Sequence, residues 1–180
     1  MADLGTISLL LALVLTAYSA VGSLMGVRLG APQLIQSARQ ATYLAPVALG
    51  LATASLVGAF VTSDFQVEYV AAHSNRAMDP QYIWVAFYAG NEGSLLFIAM
   101  ALSIFAALAI LFAPRALRPS LPHVNFVLMV VLAFFVAVTT FLASPFSLLD
   151  FVPQDGQGMN PLLTHPGMFV HPPLLMAGLI

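Results

Sequence analysis

The sequence predicts an all-α fold: a polytopic transmembrane helical bundle with four complete spans, the start of a fifth, and the N-terminus outside. Three observations carry this reading. Hydrophobic side chains make up 61% of the 180 residues and charged ones only 7%, where a soluble domain has about 25% charge. The few charges cluster between long apolar runs instead of being spread along the chain. Four of those runs reach the roughly 20 residues that a helix needs to cross about 30 Å of hydrocarbon.

The four runs are residues 4–27, 41–63, 93–113 and 124–143, and none contains an acid, a lysine or an arginine. A helix built from each satisfies its backbone hydrogen bonds internally and shows lipid an uncharged surface. Only Met1, Ala2 and Asp3 precede the first run. Lacking a positive opening segment, and being too long for the apolar core of a cleavable signal, that run is read as a permanent span. Pro114, Pro119 and Pro122 punctuate a short turn between the third and fourth runs. A fifth apolar stretch, residues 168–180, is too short to cross a bilayer and reads as the opening turns of a helix. The expectation is a chain cut inside a span, with no soluble domain and no internal repeat.

Arginine placement sets the orientation, because short cytoplasmic loops collect Lys and Arg. Arg28 and Arg39 are expected in one loop, residues 28–40, and Arg115 and Arg118 in another, residues 114–123; alternating spans bring both to the same side. The opposite loop, residues 64–92, has Arg76 alone against Asp64, Glu68, Asp79 and Glu92, and residues 144–180 have no arginine. Both longer loops are therefore expected outside.

Composition also excludes chemistry. The chain has no cysteine and no lysine, which removes disulfides, thiolate metal sites and a cysteine nucleophile. Five singly scattered arginines and a net charge of −2 form no stripe that could track a phosphate backbone, so no nucleic-acid partner is expected. A proton- or quinone-handling subunit is disfavoured because the four spans hold no ionisable acid or lysine.

Two outer segments are too particular to be plain connectors. The first has His73-Ser74-Asn75-Arg76, then an aromatic group of Tyr82, Trp84, Phe87 and Tyr88, and ends at Asn91-Glu92-Gly93-Ser94 where the third span begins. Asn91 can cap that helix and Glu92 suits its positive end; equally, a carboxylate at the membrane edge can orient a cationic or hydrogen-bonding partner. The aromatic group fits an interfacial belt, with anchoring as the favoured role. The second segment runs from Ser144 through Asp155-Gly156, Asn160-Pro161-Leu162-Leu163 and His165-Pro166-Gly167 to His171-Pro172-Pro173. Proline disfavours helix in the residue before it yet fits a helix's first turn, so the pair sets His171 at a helix entrance in extended or turn geometry. An imidazole there can cap the helix, or it can ligate heme iron. His73 reads as a loop histidine, and His123 and His165 carry no assigned role.

Taken together, Asn160-Pro161-Leu162-Leu163, Pro166-Gly167 and His171-Pro172-Pro173-Leu174-Leu175 resemble the signature of CcmF-type and NrfE-type heme lyases. Ser144-Pro145-Phe146, Asp155-Gly156, His73-Ser74-Asn75 and Glu92-Gly93-Ser94-Leu95-Leu96 resemble it too, in that family's order and spacing. The resemblance implies a multi-pass protein of the cytoplasmic (inner) membrane that takes heme from a heme chaperone and holds it at the outer face. It further implies that this heme is presented to apocytochrome c for covalent attachment, alongside other membrane subunits of cytochrome c maturation. His171 matches the first of two histidines flanking the family's tryptophan-rich heme-handling segment, which makes it the heme-iron ligand implied here. That segment, the second flanking histidine and the histidines of the family's intramembrane heme have no match in this chain. Residues 1–180 are accordingly expected to be the N-terminal transmembrane region of a truncated or split lyase, inactive alone. Asn91 and Met176 depart from the family pattern. The rival reading is a non-enzymatic scaffold or transporter-like subunit that binds a partner through its outer loops.

Overall fold

The computed structural model describes residues 1–180, of which 76% are helical, with no strands. Four long helices are apolar enough to cross a membrane: α1 (Ala2–Arg28), α2 (Pro32–Val61), α5 (Asn91–Leu111) and α6 (Leu121–Phe141). Three short helices, α3 (Glu68–His73), α4 (Ile83–Phe87) and α7 (His171–Leu179), belong to the connections at one end.

The long helices form a ring in which α1 packs on α2 and α6, and α5 packs on α6 and α2. They are apolar on every side, as lipid-facing helices are, so the inward faces are selected by size. On α1 the buried positions include Ser8, Ala12, Thr16, Ser19, Ser23 and Gly26; on α2 they include Ala38, Ala41, Ala45, Ala48, Ala52 and Ala59. Steps of three and four put each set on one face, where small side chains let backbones approach closely. Larger side chains such as Ile7, Val14, Val47, Phe105 and Phe134 point outward. Thr42 of α2 donates to Asn125 Oδ1 of α6 at 2.8 Å, and Asn125 Nδ2 donates to Ser19 and Ser23 of α1 at 2.9 and 2.8 Å. One amide thus ties three helices in the apolar interior.

The structure corrects one boundary. Instead of a cytoplasmic loop over residues 28–40, the turn is residues 29–31, and Arg39 stands on α2. Gly30 adopts φ +61°, with the Gly30 amide bonded to Val27 O and the Ala31 amide to Gly26 O. This is a left-handed glycine stop, and Pro32 at once begins α2 with its preset φ. Gly30 and Pro32 were visible in the sequence as stop and start signals; hydropathy alone does not register them. Both short turns, with Arg28, Arg39, Arg115 and Arg118 in or beside them, still lie at one end of the bundle, and both longer loops lie at the other.

Candidate functional site at the loop end of the bundle

The loop end is built around Tyr69 of α3, only 4% exposed. Its hydroxyl donates to the Phe87 carbonyl at 3.1 Å and accepts the Gly90 amide at 3.0 Å. It thereby satisfies groups left free where α4 ends and α5 begins. Burial pushes the Tyr69 phenol well above its ordinary value of 10; the Gly90 amide opposes this, the Glu92 charge adds to it, and the Gly93 amide opposes it. The hydroxyl therefore stays a donor. Gly93 is required beside it, because a Cβ there would overlap both the Tyr69 hydroxyl and the Phe87 carbonyl. Asn91 does not cap α5: Gly90 holds the cap position, and Asn91 is exposed at the first helical one. Ser94 instead donates to Tyr88 O at 2.9 Å.

His73 and Glu92 come together. Both line a groove of about 300 Å³ with Glu68, Tyr69 and Ser144. The His73 Nδ1 lies 2.9 Å from Tyr69 O; since a carbonyl only accepts, Nδ1 carries the proton and Nε2 is left with a lone pair when the ring is neutral. The His73 and Tyr69 rings pack with centroids 4.3 Å apart.

Ser74 and Asn75 meet the second outer segment. The Gln157 amide donates to Ala71 O at 2.7 Å and the Gly158 amide to Ser74 O at 3.1 Å, while Asp155 Oδ1 accepts the Arg76 amide at 2.9 Å. A Cβ on Gly156 would overlap Ser74 O, and one on Gly158 would stand 2.7 Å from Asn75 Nδ2. Motifs about 80 residues apart in sequence therefore form one clasp, closed further by paired amide bonds between Gln66–Glu68 and Ser147–Leu149.

Beyond the clasp, Asn160 Oδ1 accepts the Leu162 amide at 3.0 Å and Pro161 opens a short 3-10 turn. His165 Nδ1 accepts the Gly167 amide at 3.0 Å in the next turn. The aromatic group then does more than anchor. Tyr82 donates to Thr164 O at 3.3 Å, Trp84 to Phe169 O at 3.4 Å, and Tyr88 to Met168 O. Burial raises the Tyr88 phenol too. Three polar ring tips thus hold the residues just before His171.

His171 is the first residue of α7, not an extended residue before it, with Pro172 and Pro173 in the first turn. Its exposed ring makes no hydrogen bond and caps nothing. It does not line the groove of His73 and Glu92, and no three His, Asp or Glu side chains converge anywhere. An exposed, unbonded imidazole would be free to supply a nitrogen ligand to heme iron, and it is not part of any cluster of His, Asp and Glu side chains. Sequence reading missed Tyr69, whose partners are backbone groups 18 and 21 residues away.

No family model matches the chain. It is 33% identical over 181 residues to the cytochrome c-type biogenesis protein CcmF of Escherichia coli, covering 100% of this chain and 28% of that protein. Identity to the CcmF of Pseudomonas aeruginosa is 34% over 179 residues, with 99% and 27% covered. The NrfE of Haemophilus influenzae is 32% identical over 179 residues, with 99% and 28% covered. A solved structure of the cytochrome c heme lyase CcmF superposes with a TM-score of 0.80 at 27% identity, over 97% of this chain and 27% of that one. The chain therefore spans about a quarter of the length of the relatives it matches, and over its whole length it is a homologue of the CcmF/NrfE group of cytochrome c-type biogenesis proteins.

Proposed function

We propose that this chain serves cytochrome c maturation as the N-terminal transmembrane part of a heme lyase of the cytoplasmic membrane, with the loop end of the bundle outside. His171 approaches heme iron there, and heme from a heme chaperone passes to apocytochrome c with other membrane subunits of the pathway. The observation that carries this reading is the free imidazole of His171 at the start of α7, after a segment whose Thr164, Met168 and Phe169 carbonyls accept from Tyr82, Tyr88 and Trp84, in a homologue of cytochrome c-type biogenesis proteins. His73, Ser74, Asn75, Glu92, Gly93, Ser94, Asn160, Pro161, Pro172 and Pro173 support the platform. Heme iron, when present, supplies an acceptor for the imidazole lone pair; the chain's part is to fix where that lone pair stands.

In the complete maturation complex, His171→Ala is expected to reduce covalent cytochrome c by tenfold or more, an effect of the size seen when groups orienting a metal are lost. Membrane levels should not change, and His171→Gly with added imidazole should recover part of the yield. Normal maturation with an unchanged heme absorption spectrum would overturn the ligand role and leave the scaffold reading. Orientation is tested separately. The chain has no native cysteine, so single cysteines at the exposed positions Gln33, Ser120 and Gln157 report cleanly. Only Gln157→Cys should react with an impermeant thiol reagent in intact cells; the reverse pattern inverts the topology.

A further inference from the structure

The arginine end of the bundle holds a cavity of about 520 Å³ that the maturation reading does not use. Ile35, Arg39 and Tyr43 line it from α2, four residues apart and so on one helix face. Arg118 reaches it from the turn before α6, and Asn125 and Ser23 form its polar floor. Asn125 is only 3% exposed, and its amide is already fully engaged with Thr42, Ser19 and Ser23, so the floor is rigid. Two guanidiniums line one opening, and neither has a hydrogen-bonded or ionic partner within the chain.

The charge distribution leaves them no internal counter-ion. All seven acids, Asp3, Asp64, Glu68, Asp79, Glu92, Asp150 and Asp155, lie at the opposite end, while four of the five arginines lie at this one. A paired guanidinium site without a carboxylate suits phosphate, which the planar forks bind in bidentate fashion. Six of the eleven lining residues are hydrophobic, and the cavity lies at the arginine-bearing ends of helices long and apolar enough to cross a membrane. We propose that this cavity holds the phosphate of an anionic membrane phospholipid, with an acyl chain along its apolar wall. Basic pockets between spans on the cytoplasmic side take anionic headgroups in this way. Free phosphate shares the headgroup chemistry but would leave the apolar wall bare.

The test uses the protein purified with its native partners. Native mass spectrometry should show one phosphatidylglycerol retained after delipidation, and titration in phosphatidylcholine nanodiscs should show it preferred. Replacing both cavity arginines, Arg39→Gln with Arg118→Gln, should weaken binding roughly tenfold for each lost charged contact. Arg28→Gln with Arg115→Gln removes the same charge from the same end but outside the cavity, and should change affinity less than about threefold. Equal loss in the two pairs would reduce the effect to diffuse surface charge and overturn the proposal. So would no loss in either, no retained lipid in the unaltered protein, or displacement of the lipid by millimolar inorganic phosphate. The retained-lipid measurement decides even where a double variant fails to assemble.

Discussion

Gly93→Ala is expected to destabilise the loop end by about 3 kcal/mol, at the upper end of the range for forcing extra atoms into a packed site. The sign makes this informative. Gly93 stands in the first turn of α5, where helix propensity alone favours alanine by up to about 1 kcal/mol. Against that, the new methyl would overlap the Phe87 carbonyl and the Tyr69 hydroxyl, two polar groups that already hydrogen-bond each other. Neither can yield without leaving a buried polar atom unpaired. Thermal unfolding in detergent, with proteolysis of residues 74–90 as a local readout, measures the effect. Gly178→Ala is the internal control, since nothing lies within 4 Å of a Cβ there, and it should be neutral or slightly stabilising. If Gly93→Ala stabilises the protein as Gly178→Ala does, the packing of α4 against α5 is wrong.

Tyr69→Phe should cost about 2 kcal/mol at neutral pH, the penalty for leaving a buried amide and carbonyl without their partner, here Gly90 N–H and Phe87 C=O. Its second signature is the pH profile. Because burial raises the phenol above its unfolded value of 10, the folded state keeps a proton that the unfolded state gives up. The contribution is fully present below pH 10 and is lost as pH rises above it, with a slope of up to about 1.4 kcal/mol per pH unit. Tyr88 shifts in the same direction, again through burial, so Tyr69→Phe should flatten the alkaline decline without abolishing it. A decline unchanged in Tyr69→Phe would show that the hydroxyl is not held as described. The same variant keeps the ring and the backbone carbonyl that His73 contacts, so its effect isolates the hydroxyl.

Much of the bundle was legible in the sequence because the membrane constraint is one-dimensional. A run of 20 uncharged residues must be a helix whatever its neighbours do, and α1, α5 and α6 match the predicted runs within three residues at every boundary. α2 does not. Arg39 looked like loop because a hydropathy count stops at polar residues, while helix formation stops only at signals such as Gly30 and starts at ones such as Pro32. The capping role expected of Asn91 failed for a related reason: Tyr69, distant in sequence, already takes the Gly90 amide at the cap, so the local partner is not needed.

What the sequence by itself determined was solvent and kinship: a lipid-embedded helical chain, arginines gathered at one end, and motif residues in the order of the CcmF-type and NrfE-type lyases. Tertiary structure alone decided which of those residues meet. Ser74 reaches Gly158, Tyr88 reaches Met168 and Asn125 reaches Ser19 through contacts 80 to 106 positions apart, and none leaves a periodic trace in the chain. Half of their donors and acceptors are backbone groups, which every residue carries alike. Residue type therefore cannot announce them, and only packing selects which carbonyl each hydroxyl, indole or amide finds.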